Sequence, residues 1–214
     1  MDAHQIEYRE KLAAHLIKQL AKRRMEASYA PTAAQAREEI IAMIPAGSRV
    51  SRCGSMSLVE MGLWDELAKE PGVVVIDPFV PGLTPEEAHA LRLKGLTADY
   101  MVASSNALTL DGRLVNLDAT GNRVAAMCFG PRKVILVVGM NKVVPDLDAA
   151  IARVKYHAAP INAIRVNRET PCRETGLCHD CQSPARICNM WLIIEGQVQD
   201  SRIHVKLVGE DLGY

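Results

Sequence analysis

Four cysteines stand close together late in the chain: Cys172, Cys178, Cys181 and Cys188, spaced C-x5-C-x2-C-x6-C. Thiolates are soft ligands, and four of them can complete a tetrahedral zinc site or hold one [4Fe–4S] cluster. Cys178 and Cys181 put two sulfurs on one side of a metal, while Gly176 and Pro184 supply bends. The spacing is neither a usual ferredoxin pattern nor the doubled C-x2-C of a zinc ribbon. Unliganded thiols or redox disulfides are the competing reading. His179 is a nitrogen donor in the same segment, expected at the surface. Two cysteines lie elsewhere. Cys53 is expected at a helix N-terminus, which would lower its pKa, and Cys128 is expected in the core.

Three polar stretches could hold a ligand. Gly54-Ser55-Met56-Ser57 follows a short strand and opens a helix, where free N–H groups and the helix dipole attract anions. An uncomplexed, capped turn is the alternative there, and Glu60 reads as either the capping-box partner of Ser57 or a catalytic carboxylate. The second stretch runs from Ser104 to Arg123. Within it, Asn106 lies at a strand end, Asp111-Gly112 is a two-residue hairpin turn, and Asn116, Asp118, Thr120, Asn122 and Arg123 crowd five hydrogen-bonding side chains into eight residues around Gly121. That density exceeds what a turn requires. In the third stretch, Asn141 and Lys142 directly follow an apolar run, and a lysine there can pair with an anion. Asp118 is the preferred base and Lys142 the preferred charge stabiliser.

These residues need a frame. Leu12, Leu16 and Leu20 recur every fourth residue, predicting a helix from Gln5 to Tyr29. Thr32 with Gln35 opens a second helix. Strands are predicted at 48–52, 73–76, 99–104 and 134–138, with helices at 57–69, 85–94 and after Pro145-Asp146. Thr84-Pro85 is a strong helix start. Strand–helix alternation implies an α/β fold: a mostly parallel sheet with helices on both faces and ligand sites beyond the strands' C-terminal ends. Residues 1–46 read as N-terminal helices packed on the domain. Residues 47–165 form the α/β core, and residues 166–214 a Cys-rich segment of the same domain. The two last strands, 191–195 and 203–208, are expected to form a terminal hairpin.

The 214 residues fit one large domain. Apolar residues make up 49% and charged residues 23%, with a formal net charge of zero. That balance argues against a nucleic-acid protein that relies on bulk basic charge, and 4% aromatics offer few stacking platforms. No apolar run is long enough to span a bilayer. Without a signal core, the expected location is the cytoplasm, where free or metal-bound cysteines outnumber disulfides.

The chain resembles the lactate-utilisation (LUD) domain family. The resemblance is carried by Gly54-Ser55-Met56-Ser57 with Glu60 and Gly62, Ala98-Asp99-Tyr100, and Ser105-Asn106-Ala107 with Thr109 and Asp111-Gly112. It continues through Asn116-Leu117-Asp118, Gly121-Asn122-Arg123-Val124-Ala125, Gly130-Pro131, and Gly139 with Asn141-Lys142. The Cys172 to Cys188 segment and Val208-Gly209-Glu210-Asp211-Leu212-Gly213 close it. It implies a fold similar to the superfamily of ribose-phosphate isomerase, glucosamine-phosphate deaminase and CoA-transferase. In those relatives a glycine-rich loop holds a phosphate or CoA group, and Gly54 to Ser57 look like that loop. The family name comes from iron–sulfur systems that oxidise L-lactate to pyruvate. The resemblance leaves open whether this chain is itself an enzyme.

The leading expectation is a protein of lactate or organic-acid utilisation that binds a small anion: an organic acid, phosphate or CoA-type group. Gly54, Ser55, Met56, Ser57, Asn106, Asp111, Asn116, Gly121, Asn122, Arg123 and Asn141 would bind it. Asp118, Lys142 and Glu60 would act catalytically, and the four clustered cysteines would hold a [4Fe–4S] cluster or, alternatively, zinc. Alternatives are a non-catalytic redox or assembly subunit and a phosphosugar isomerase or acyl-CoA transferase. Expected protein partners are iron–sulfur or oxidoreductase subunits, or a second copy in a homo-oligomer.

Overall fold

The computed structural model describes residues 2–214. Helix α1 (Ala3–Lys22) opens with an Asp2–Gln5 capping box. It stops well before Tyr29: Arg23 caps it and Arg24 takes a left-handed φ of 61°. The chain then enters a strand, β1 (Glu26–Ala30). The long helix expected over these residues is therefore corrected, and the N-terminal segment supplies a strand of the main sheet as well as helices. Leucine periodicity correctly marked the helix but gave no stop signal, because the break is made by a non-glycine residue at positive φ.

Next come α2 (Ala33–Ala42), β2 (Arg49–Arg52), α3 (Met56–Glu60), α4 (Leu63–Leu67), β3 (Val74–Ile76), α5 (Pro85–Gly95) and β4 (Tyr100–Ser104). Thr84 and Glu87 form the capping box of α5. A hairpin, β5 (Ala107–Thr109) and β6 (Leu114–Asp118), leads to α6 (Asn122–Cys128), β7 (Lys133–Gly139) and β8 (Val143–Val144). Helix α7 (Leu147–Arg153) runs through a π-helical turn, Val154–Ala158, into α8 (Ala159–Arg165). Then follow α9 (Pro171–Thr175), β9 (Met190–Ile194) and β10 (Ile203–Val208).

Six strands form a parallel sheet in the order β1-β10-β7-β4-β2-β3. A smaller mixed sheet has the order β8-β5-β6-β9. The expected β9–β10 hairpin does not exist. Strand β9 pairs antiparallel with β6, while β10 inserts between β1 and β7 of the main sheet. Both strands were legible, but their partners lie far off in sequence.

Strand alternation splits the core. On β7, Val134, Leu136 and Val138 face Leu16 and Leu20 of α1, together with Leu108 and Leu114 of the small sheet. Ile135 and Val137 face the other way, toward Ile40 of α2, Leu58 of α3 and Leu67 of α4. Successive residues pointing to opposite sides make β7 apolar throughout, as a sheet covered on both faces requires. A third cluster joins Ala107 and Val115 to Ala150 and Val154, clamping α7 to the small sheet.

Candidate functional site

The C-terminal ends of β2, β4 and β7 open into one cleft of about 370 Å³. Gly54 to Ser57 line it from β2, Ser104 to Asn106 from β4, and Lys142 from the turn after β7. Asp118, Thr120, Asn122 and Arg123 add the β6–α6 turn. The opposite wall is the α7–α8 rod, whose π-helical turn presents Val154 and Ala158, and beyond it Asn162 and Arg165. Such turns widen a helix locally and recur at functional sites.

Arg123 organises the cleft. Its Nε donates to Asp118 Oδ1 at 2.9 Å, and its terminal nitrogens donate to Asn116 Oδ1 (2.7 Å), Asn106 Oδ1 (2.9 Å) and the carbonyls of Ser104 (2.9 Å) and Leu117 (3.2 Å). The other oxygen of Asp118 accepts the backbone N–H groups of Arg123 and Val124, closing the first turn of α6. Asp118 therefore has both oxygens occupied, which corrects the expectation of a free base: it holds Arg123 and the helix start. Gly121 caps α6 in a left-handed conformation, with Met190 Sδ 2.5 Å from where a Cβ would stand.

Lys142 is 3% exposed. Its Nζ donates to Ser57 Oγ at 2.7 Å and to Ser104 Oγ at 2.9 Å. Burial pushes its pKa down to about 7, helped by the Arg153 and Arg123 guanidiniums and opposed by Glu60. Ser57 does not pair with Glu60 in a capping box, as expected from sequence. Its hydroxyl donates to the Leu212 carbonyl at 3.1 Å, and Glu60 Oε2 accepts the Gly213 N–H at 2.6 Å. Asn141 grips the same tail, accepting from Leu212 N and donating to Gly213 O. The tail in turn brings Tyr214 into the cleft wall.

Five residues read as site candidates stand outside the cleft lining. Glu60 and Asn141 hold the tail, Asn116 supports Arg123, Gly121 caps α6, and Asp111 sits in the hairpin turn paired with Arg23 and Arg113. The sequence reading missed Arg92, Arg165, Arg168 and Tyr214, all in the lining. Basic residues after a helical pattern were the available signal, and nothing local said which way they face. The Ser55 hydroxyl is buried, with no hydrogen-bond partner among the described residues.

Cys172, Cys178, Cys181 and Cys188 line one second, smaller cavity, together with Lys155 and Arg186. All six cysteines are free. The donor set is of the kind that holds a metal by thiolates: four cysteines line one space, with Lys155 and Arg186 beside them, both paired with Asp180. Among the described residues, however, no three His, Cys, Asp or Glu side chains converge to metal-binding spacing. Cys188, with Ile187 and Ala159, also lines the main cleft, so the two sites share a wall. His179 is exposed, its Nε2 2.8 Å from Thr175 Oγ1. The remaining two cysteines reverse the sequence expectations. Cys53 is buried and its thiol is pushed up to about 12 by burial, while Cys128 is exposed.

No helix among the described residues is long and apolar enough to cross a membrane. No curated protein matches the chain. Among solved structures, a DUF162 family protein from Deinococcus radiodurans is similar at 15% identity and a TM-score of 0.49, over 94% of this chain and 97% of that one. The eIF2B delta protein from Chaetomium thermophilum is similar at 20% identity and a TM-score of 0.36, over 68% of this chain and 55% of that one. The family model of the LUD domain matches residues 13–208, so the chain belongs to the LUD domain family.

Proposed function

We propose that this LUD-domain protein serves lactate or related organic-acid utilisation by binding a small organic anion in the main cleft. The charge of the lining carries the reading. Arg92, Arg123, Arg165 and Arg168 face the space against Asp118, the one carboxylate of the lining among the described residues, and Asp118 is consumed by Arg123. A cleft with surplus positive charge and few competing acceptors favours a carboxylate or phosphate. Ser55, whose buried hydroxyl has no partner among the described residues, is a donor suited to the ligand. Isothermal titration with L-lactate, pyruvate, inorganic phosphate, a sugar phosphate and coenzyme A tests this. Saturable binding of an organic acid, weakened at least tenfold in Arg165→Ala/Arg168→Ala, supports it. A sugar phosphate or CoA ester binding far more tightly would move the assignment to an isomerase or transferase.

A second reading, a redox or assembly subunit, is favoured by the wall that Cys188 shares between the cleft and the cysteine cavity. Cys172, Cys178, Cys181 and Cys188 would hold the metal, with Lys155 and Arg186 beside it. An iron–sulfur cluster there would supply one-electron transfer next to the bound acid, whereas zinc would make the segment structural. Iron, sulfide and zinc analysis of protein purified without oxygen separates the two.

A further inference from the structure

We infer that Lys142 is an amine nucleophile, and that a small 2-oxo acid bound in the cleft condenses with its Nζ to form an imine. The inference rests on the organic-acid reading of the cleft and narrows the ligand to acids with a carbonyl beside the carboxylate.

The hydrogen-bond count around Nζ carries it. Each serine hydroxyl that Lys142 touches has a single proton to give. Ser57 gives its proton to the Leu212 carbonyl (3.1 Å), and Ser104 gives its own to the Ser105 carbonyl (3.1 Å). Both hydroxyls therefore accept from Lys142. A neutral amine has two N–H donors, both used here, and one lone pair left over. An ammonium has three donors. Its third would have no partner among the described residues, and its charge no carboxylate in contact. Glu60, the carboxylate that bears on Nζ, is engaged by the Gly213 N–H.

Another lysine in the same protein shows what a retained charge looks like. Lys206 is 2% exposed, and its Nζ meets Glu39 Oε2 at 2.6 Å. Buried charges are paired when they are kept. Lys142 instead has burial and the guanidiniums of Arg153 and Arg123 acting on it, which outweigh Glu60 and favour the uncharged form. A desolvated lysine beside other cations is the environment that activates an amine for carbonyl chemistry.

The step balances without an oxidant. The Nζ lone pair attacks the carbonyl carbon, and the carbonyl π pair moves to oxygen, which takes a proton. Nitrogen gives up both of its protons, the first to that oxygen to form the carbinolamine and the second to the departing hydroxyl, which leaves as water. The products are the C=N bond and one water. Ser57 and Ser104 flank the nitrogen and can relay these protons. The substrate carboxylate would lie toward Ser55 and the arginines of the lining. A 2-hydroxy acid has no ketone carbonyl to condense with an amine, so lactate can bind without forming an imine.

The test is reductive trapping. Full-length protein is incubated with pyruvate and sodium cyanoborohydride, followed by intact mass measurement and peptide mapping. A single adduct of pyruvic acid less one oxygen atom, on the peptide carrying Lys142, supports the proposal. L-lactate should give none, and Lys142→Met should lose the adduct. Mapping of the wild-type chain decides the matter even where that variant fails to fold. Pyruvate binding by titration without an adduct, or adducts spread over surface lysines, would overturn the imine and leave the organic-acid reading standing. Absence of both binding and adduct would overturn both.

Discussion

Lys142 Nζ and Ser57 Oγ meet at 2.7 Å although 85 residues separate them in the chain. The contact ties the turn after β7 to the first turn of α3, and Ser57 passes it on to the C-terminal tail through Leu212. One buried amine thus joins two strand ends and the tail segment at the floor of the cleft. Its ionisation should be felt by the whole fold.

Stability should rise with pH through the neutral and mildly alkaline range because of Lys142. Its folded pKa, about 7, lies below the ordinary lysine value of 10.5. Between those values the unfolded chain binds more protons than the folded one, so raising the pH favours folding; below about 7 both states are protonated and the penalty stays constant. Arg123 from α6 and Arg153 from α7 push in this direction, and Glu60 from α3 opposes them. Urea unfolding at a series of pH values should show the wild type gaining on Lys142→Met above neutrality, with a slope of at most about 1.4 kcal/mol per pH unit. Parallel pH curves for the two proteins would mean that Lys142 keeps its ordinary pKa.

Arg123 should be the most costly polar residue of the cleft to remove. It satisfies Asp118, Asn116, Asn106 and two carbonyls at once, and Asp118 is buried. Arg123→Met leaves that carboxylate without its partner, which costs about 3–5 kcal/mol in buried pairs. Asp118→Asn should cost less, because the amide oxygen can still accept from the start of α6. Equilibrium unfolding in urea checks both; equal losses would place the weight on the helix cap instead of the ion pair.

Much of this frame was legible in the sequence, and the failures have physical causes. Apolar runs and caps marked β7 and α5 well, since each signal is local: five consecutive apolar residues in one case, Thr84 with Pro85 and Glu87 in the other. Strand β1 and the placement of β10 were missed because pairing partners are long-range. Glu26 registers with His204, and nothing near Glu26 announces it. The polar density from Asn116 to Arg123, read as a ligand-binding loop, falls on residues gathered around Arg123, yet composition could not tell a side chain that faces the cleft from one that supports it. Arg123 does both, and Asn116 only supports.

Gly139 should be intolerant of a side chain for steric reasons, since its φ of −69° suits any residue. A Cβ there would stand 2.6 Å from Asn141 Oδ1, 2.7 Å from Leu212 N and 2.9 Å from Glu210 O. Two of these contacts are backbone and cannot swing aside. Gly139→Ala should therefore push the tail off its Asn141 clasp at a cost of about 1–3 kcal/mol, the usual range for overpacking. Because Tyr214 belongs to the cleft wall, pyruvate binding should weaken along with thermal stability. A variant that melts lower yet binds unchanged would separate the tail from the site.

Loss of metal should follow the cavity, and not the number of cysteines. Cys178 lines the small cavity, whereas Cys128 is exposed and outside it. In protein prepared without oxygen, Cys178→Ser should lose most of the bound iron or zinc, and Cys128→Ser should keep it. The expectation follows from ligand chemistry, because a serine hydroxyl is a poor substitute for a soft thiolate. Cys188→Ser carries a second consequence, since the same residue faces the cleft: it should alter pyruvate affinity as well as metal content, while Cys178→Ser alters metal content more than affinity. Metal analysis by mass spectrometry and titration calorimetry on the same preparations give both readouts. Equal metal content in all three variants would remove the cysteine cavity as a metal site.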